Sequence, residues 1–121
     1  MNNVTIIGNL GSDPVLRRTP SGNPVLNFSI AVDRRSYRQD ASGNKVLHRD
    51  VDWIPCVLWN SLAESASKYL QKGSQVAVNG SLRQRSYSNA DERKVNVIEV
   101  KVREVQFLDK IKAQNQDNQE V

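Results

Sequence analysis

Apolar residues in this chain recur at every second position, and that period limits the fold more than any other feature. In VLNFSIAV, Leu26, Phe28, Ile30 and Val32 occupy even positions, with Asn27, Ser29 and Ala31 between them. Side chains in an extended chain point to opposite faces in turn, so period 2 reads as a half-buried strand. VTIIGNL (residues 4–10) is a further strand, with Gly8 as a bulge or point of close approach. GSDP turns the chain, TPSGNP (19–24) is dense enough in turn residues to close a hairpin, and QDASGN (39–44) is a longer loop tip leading to a strand that ends near Trp59.

The periodicity then changes. Ser61 and Glu64 have the spacing of a capping box, Leu62, Ala66, Tyr69 and Leu70 recur at helical spacing, and Gly73 stands where a left-handed C-terminal cap would sit. This predicts a helix of about three turns. QVAVNGSLRQRSY is the next strand, with Val76, Val78, Gly80 and Leu82 on one face. VNVIEVKVREVQFL is the last. Its apolar positions change parity twice, between Val97 and Ile98 and between Val102 and Val105. Each change asks for one extra residue in the ladder, and bulges of that kind bend strands into small barrels. The expected fold is all-β: a five-stranded Greek-key OB-fold barrel with one short helix between strands 3 and 4. Residues 1–112 form the domain. Residues 113–121, AQNQDNQEV, are a disordered polar tail with little apolar surface.

Parity also places the two tryptophans. Trp53 and Trp59 are both odd and share a face with Val51, Pro55 and Val57, while Ile54, Cys56 and Leu58 share the other. The second set is compact and aliphatic and suits a tight barrel interior. The indoles therefore point outward, about 20 Å apart at roughly 3.3 Å per residue. An outward aromatic row marks a binding surface. In the next strand Arg83, Arg85 and Tyr87 are opposite in parity to the aliphatic set, and Tyr37 lies among Arg34, Arg35 and Arg38. Three elements thus pair aromatics with bases. Rings stack unpaired nucleobases and guanidiniums contact phosphates, so the pattern suits single-stranded nucleic acid.

Charge agrees. The chain carries +4, and without the tail 17 basic residues face 11 acidic ones, leaving +6 on residues 1–112. Residues 34–49 hold five bases against Asp40 alone, as expected for a polyanion partner. The single cysteine, Cys56, excludes an internal disulfide and a cysteine-built zinc site, and on the core face it is inert. No apolar run reaches the length of a membrane span, and the N-terminus lacks the features of a signal peptide. A cytoplasmic protein with no membrane partner is expected.

NNVTIIGNLGSDPVLRRTPSGNPVLNFSIAV resembles the opening of bacterial single-stranded DNA-binding proteins. The run GNLGSDP-x-LR-x-TPSG and the later LAESASKYLQKGSQVAVNGSLRQRSY are typical of that family, and the likeness covers residues 3 to about 109. It implies an OB-fold that assembles as a homotetramer, associates with the nucleoid and serves replication, recombination and repair. Trp53, Trp59, Tyr37 and Tyr87 lie where the family places its stacking rings, and Arg83 and Arg85 where it places basic contacts. The positions of Tyr37 and Tyr87 are often tryptophan in the family, and tyrosine offers less stacking area. Many members carry an acidic C-terminal tip that recruits repair and replication enzymes. NQDNQEV is not such a tip, so that recruitment is not supported by this C-terminus.

No catalytic constellation is present, so the chain is read as no enzyme, with no cofactor and no metal. His48 lacks companions at ligand spacing, GNLG lacks the Gly-Lys-Ser/Thr of a phosphate loop, and Asp50 and Asp52 read as carboxylates balancing Arg49. Two other readings stay open: a dimeric primosomal-type OB-fold protein, and a protein–protein adaptor using the aromatic face.

Overall fold

The computed structural model describes residues 1–108. The expected boundary at residue 112 and the expected tail, 113–121, lie outside the described residues.

Six strands and one helix follow in order: β1 (Val4–Leu10), β2 (Val15–Arg18), β3 (Pro24–Gln39), β4 (Lys45–Trp59), α1 (Asn60–Ser67), β5 (Gln75–Ser88) and β6 (Lys94–Phe107). Five of the strands close a ring. β1 pairs antiparallel with β5 over Val4–Asn9, then meets β3 at Asn9 and Leu10. β3 pairs with β4, β4 runs parallel to β6 at Cys56 and Val57, and β6 returns to β5. With α1 between β4 and β5, this is the five-stranded barrel of the OB-fold. The strand that the sequence reading missed is β2. It pairs only with β3, through the turn at Thr19–Asn23, and widens the barrel wall outside the ring.

The core is what alternation predicts. Leu26, Phe28 and Ile30 of β3 meet Leu58, Cys56 and, partly, Ile54 of β4, and Leu10, Val76, Val78, Val100 and Val102 complete the interior. Full burial of such side chains contributes about 1.5–3 kcal/mol each. Gly8 is a close approach: a Cβ there would strike the Ala31 carbonyl and the Ile30 side chain, where β1 passes from β5 to β3.

The second parity change in β6 is a bulge. Asn79 pairs with Glu104 but Gly80 with Val102, so Arg103 is the extra residue, and its guanidinium donates to the Gly80 carbonyl at 3.2 Å. The first parity change is not a bulge. Pairing runs unbroken from Val100 to Lys94. There the β5–β6 hairpin leaves the barrel: Val95 and Val97 stay half-buried on the odd face, while the even face turns to solvent. Ile98 is exposed, and Leu82, expected among the core set, is exposed for the same reason.

The helix also differs from expectation. It spans eight residues, a little over two turns, and no side chain caps its N-terminus. Trp59 is extended and Asn60 turns the chain at φ 59°, so the helix starts directly from β4. Glu64 does not reach back to Ser61; its carboxylate meets Arg18 of β2 at 3.4 Å. Gly73 is left-handed, at φ 90°, but lies beyond the helix and donates its N–H to the Leu10 carbonyl. Tyr69 follows the helix and is exposed. Among the described residues no helix is long and apolar enough to cross a membrane.

Candidate nucleic-acid interface

β3 and β4 pair without a register shift from Val25 opposite Trp59 to Gln39 opposite Lys45. All odd residues of this long hairpin therefore share one face. Along β4 that face carries Trp59, Val57, Pro55, Trp53, Val51, Arg49, Leu47 and Lys45; along β3 it carries Val25, Asn27, Ser29, Ala31, Asp33, Arg35, Tyr37 and Gln39. Leu26, Phe28 and Ile30 lie on the other side, so the indoles are outside the barrel wall. Trp53 is 59% exposed and Tyr37 63%, while Trp59 is 38% exposed. The Trp53 ring lies on Gly11, where a Cβ would collide with it, so backbone supports the indole from beneath. The three rings form a line. Trp59 and Trp53 are six residues apart, and Tyr37, opposite Leu47, is six positions further on. Each step is about 20 Å.

The same register divides the basic cluster near Tyr37. Arg35 is odd and shares the aromatic face. Arg34 and Arg38 are even and face the opposite side. Arg34 is committed there, with Nε 3.1 Å from Asp52 Oδ2 and a terminal nitrogen 3.6 Å from Asp50 Oδ2. The hydrogen bond to Asp52, then the charges of Asp52 and Asp50, raise its pKa further above an already high value. The two carboxylates thus balance Arg34, not Arg49. Asp50 also meets His48 Nε2 at 3.1 Å. Arg34 and Asp52 stand where the core face of the hairpin turns polar as it leaves the barrel.

Arg49 is a functional candidate that sequence reasoning missed. It lies directly opposite Arg35 on the aromatic face, and neither has an ion-pair partner among the described residues. Like charges opposite one another destabilise a strand pair, so the arrangement is one that a polyanion would relieve. Lys45 adds a cation 4.6 Å from the Tyr37 ring centre. Parity alone could have found both, had alternation been followed from Trp53 back along β4 to Lys45.

Arg83, Arg85 and Tyr87 share the odd face of the β5–β6 hairpin. Arg85 has an acidic partner that is distant in sequence: its Nε lies 3.2 Å from Oε1 of Glu99, a buried carboxylate. Its guanidinium carbon is also 5.8 Å from the centre of the Tyr87 ring. Arg83 has no ion-pair partner among the described residues. The two hairpins meet at a cleft of about 460 Å³ whose lining includes Trp59, Val57, Arg85 and Glu99 together with Arg17 and Arg18 of β2. The arginines of β2 escaped the sequence reading because residues 15–18 were not recognised as a strand.

Cys56 is buried in the barrel, and loss of hydration pushes its thiol up to about 12. It is inert as a nucleophile. Among the described residues no three His, Cys, Asp or Glu side chains are grouped to hold a metal ion.

Comparison with known proteins follows the same lines. The family model described as "Single-strand binding protein family" matches residues 1–108. The chain is 40% identical over 121 residues to a single-stranded DNA-binding protein of Halalkalibacterium halodurans, covering all of this chain and 68% of that protein. It is 44% identical over 121 residues to single-stranded DNA-binding protein 2 of Chlorobaculum tepidum, covering 99% of this chain and 79% of the relative. Against single-stranded DNA-binding protein A of Bacillus subtilis it is 39% identical over 109 residues, 90% of this chain and 60% of the relative.

Proposed function

Because the chain belongs to the single-strand binding protein family, whose members are not enzymes, we propose that it binds single-stranded DNA with little sequence preference and protects it during replication, recombination and repair. The observation that carries this reading is the outer face of the β3–β4 hairpin. Trp59, Trp53 and Tyr37 stand in line along it, and between the last two lie Arg35 and Arg49, without ion-pair partners among the described residues. Unpaired bases lie flat on the rings, each contributing about 1–3 kcal/mol, and every base has such a face, so stacking is tolerant of sequence. Arg35, Arg49 and Lys45 contact phosphates along that hairpin. Arg83, Arg85 and Tyr87 extend the track over the second hairpin. Arg38, exposed on the back of the first, contacts a strand that wraps around it, whereas Arg34 holds the hairpin to Asp50 and Asp52. Assembly as a homotetramer in the cytoplasm, on the nucleoid, would join the tracks of several barrels into one path.

The test is a titration of labelled oligo-dT by anisotropy across a salt series, with wild type beside Trp53→Ala. Affinity should fall with salt at a slope of about −0.7 for each phosphate neutralised. Trp53→Ala should bind about 5- to 150-fold more weakly, the equivalent of 1–3 kcal/mol, with an unchanged circular dichroism spectrum. Absence of wild-type binding, or equal affinity of the two proteins, refutes the reading.

A further inference from the structure

Of the three arginines that line the cleft beside Trp59, two are already paired with carboxylates. Arg18 meets Glu64 at 3.4 Å and Arg85 meets Glu99 at 3.2 Å. Arg17 has no carboxylate partner among the described residues. Its one side-chain hydrogen bond among the described residues runs from a terminal nitrogen to Asn27 Oδ1, at 2.8 Å. A guanidinium carries five N–H donors, so this neutral contact orients Arg17 and leaves most of its donors free.

Register places Arg17 relative to the indole. Arg17 pairs with Val25, and Val25 pairs with Trp59, so the three form one row across β2, β3 and β4 with side chains on the same face. Two strand spacings separate Arg17 from Trp59, about 10 Å between backbones. Val25 is the apolar floor between them. The cleft thus holds an aromatic wall, an apolar floor and, among the described residues, one cation without a carboxylate partner, in a volume of about 460 Å³. Glu99 is spent on Arg85 at the far wall, so Arg17 is the cation left for a phosphate among the described residues.

We propose that this cleft seats one nucleotide of the bound strand, its base on Trp59 and its phosphate on Arg17, and that β2 is the element that builds the seat. The inference rests on the single-stranded DNA reading above. It extends the track past the barrel end of the β3–β4 hairpin and assigns a phosphate contact to a strand outside the barrel ring.

The test compares Arg17→Gln, Arg17→Lys and Arg18→Gln with wild type and Trp53→Ala in the same oligo-dT titrations. Arg17→Gln keeps an amide for Asn27 but loses the charge. Its affinity at low salt should fall about three- to tenfold, and its salt slope should shrink by about 0.7 per protomer. Arg17→Lys should keep the wild-type slope, and Arg18→Gln should change it much less, because Arg18 is already paired. Wild-type slope and affinity in Arg17→Gln, with Trp53→Ala still defective, overturns the seat while leaving the wider reading intact. Should Arg17→Gln lower the melting temperature, Arg17→Lys decides: a reduced slope with the charge retained also overturns it. If wild type itself does not bind, the wider reading fails first.

Discussion

The Arg35–Arg49 pair predicts that one substitution will move stability and binding in opposite directions. The two residues are directly opposite on the exposed face of the β3–β4 hairpin, so their charges sit about 6 Å apart if both side chains extend in parallel. At the dielectric constant of water two unit charges at that distance repel by about 0.7 kcal/mol, and screening at moderate salt lowers this to about 0.4 kcal/mol. Arg49→Gln removes the repulsion while keeping a polar side chain at that position. Hydrogen–deuterium exchange of peptides spanning the hairpin should therefore slow by about two- to threefold at low salt, and the gain should vanish at high salt. Oligo-dT affinity should drop by about 1 kcal/mol, or about fivefold, with a salt slope smaller by about 0.7. Faster exchange in the variant would mean that Arg49 has a stabilising partner in the fold. Slower exchange with unchanged affinity would mean that the pair is not a DNA contact.

Two further outcomes follow from the barrel itself. A Cβ at Gly80 would run into the backbone of Lys101 and Val102 at the β6 bulge, and backbone cannot swing aside as a side chain can. Gly80→Ala should cost about 2 kcal/mol or more and lower Tm by roughly 8–16 °C at equal protein concentration; a Tm within 2 °C of wild type, against that estimate of roughly 8–16 °C, would refute the close packing of the bulge. Cys56 titrates near 12 in the fold, above the usual thiol value of about 8.5. Its contribution to stability is therefore complete below about pH 8.5 and is lost as pH rises toward 12. The slope is at most about 1.4 kcal/mol per pH unit, because the unfolded thiol loses its proton first. Urea melts from pH 8 to pH 10.5 should show this decline in wild type and a shallower one in Cys56→Ala; identical slopes would place the thiol in water.

Much of this protein is legible one residue at a time. Period 2 identified β1, β3, β4 and β5, turn residues located the hairpin tips, and the parity of Trp53 and Trp59 put both indoles outside the wall. Alternation is a local property of an extended chain, and it survives wherever one face meets a core. It misleads where no core is present, as at Ile98 and Leu82 in the emergent β5–β6 hairpin. It also fails on β2, a four-residue strand with both faces exposed.

Only the tertiary structure decided which charges are free. Arg34 is tied to Asp50 and Asp52, Arg85 to Glu99 and Arg18 to Glu64, across 14 to 46 residues of chain. Arg35 and Arg49 face each other without ion-pair partners among the described residues, and Arg17 reaches the row of Trp59 through a strand that looks like a loop. A side chain's face is set by its immediate neighbours, but its partner is set by register between distant strands. Register in turn comes from closing the barrel, and no stretch of sequence contains it.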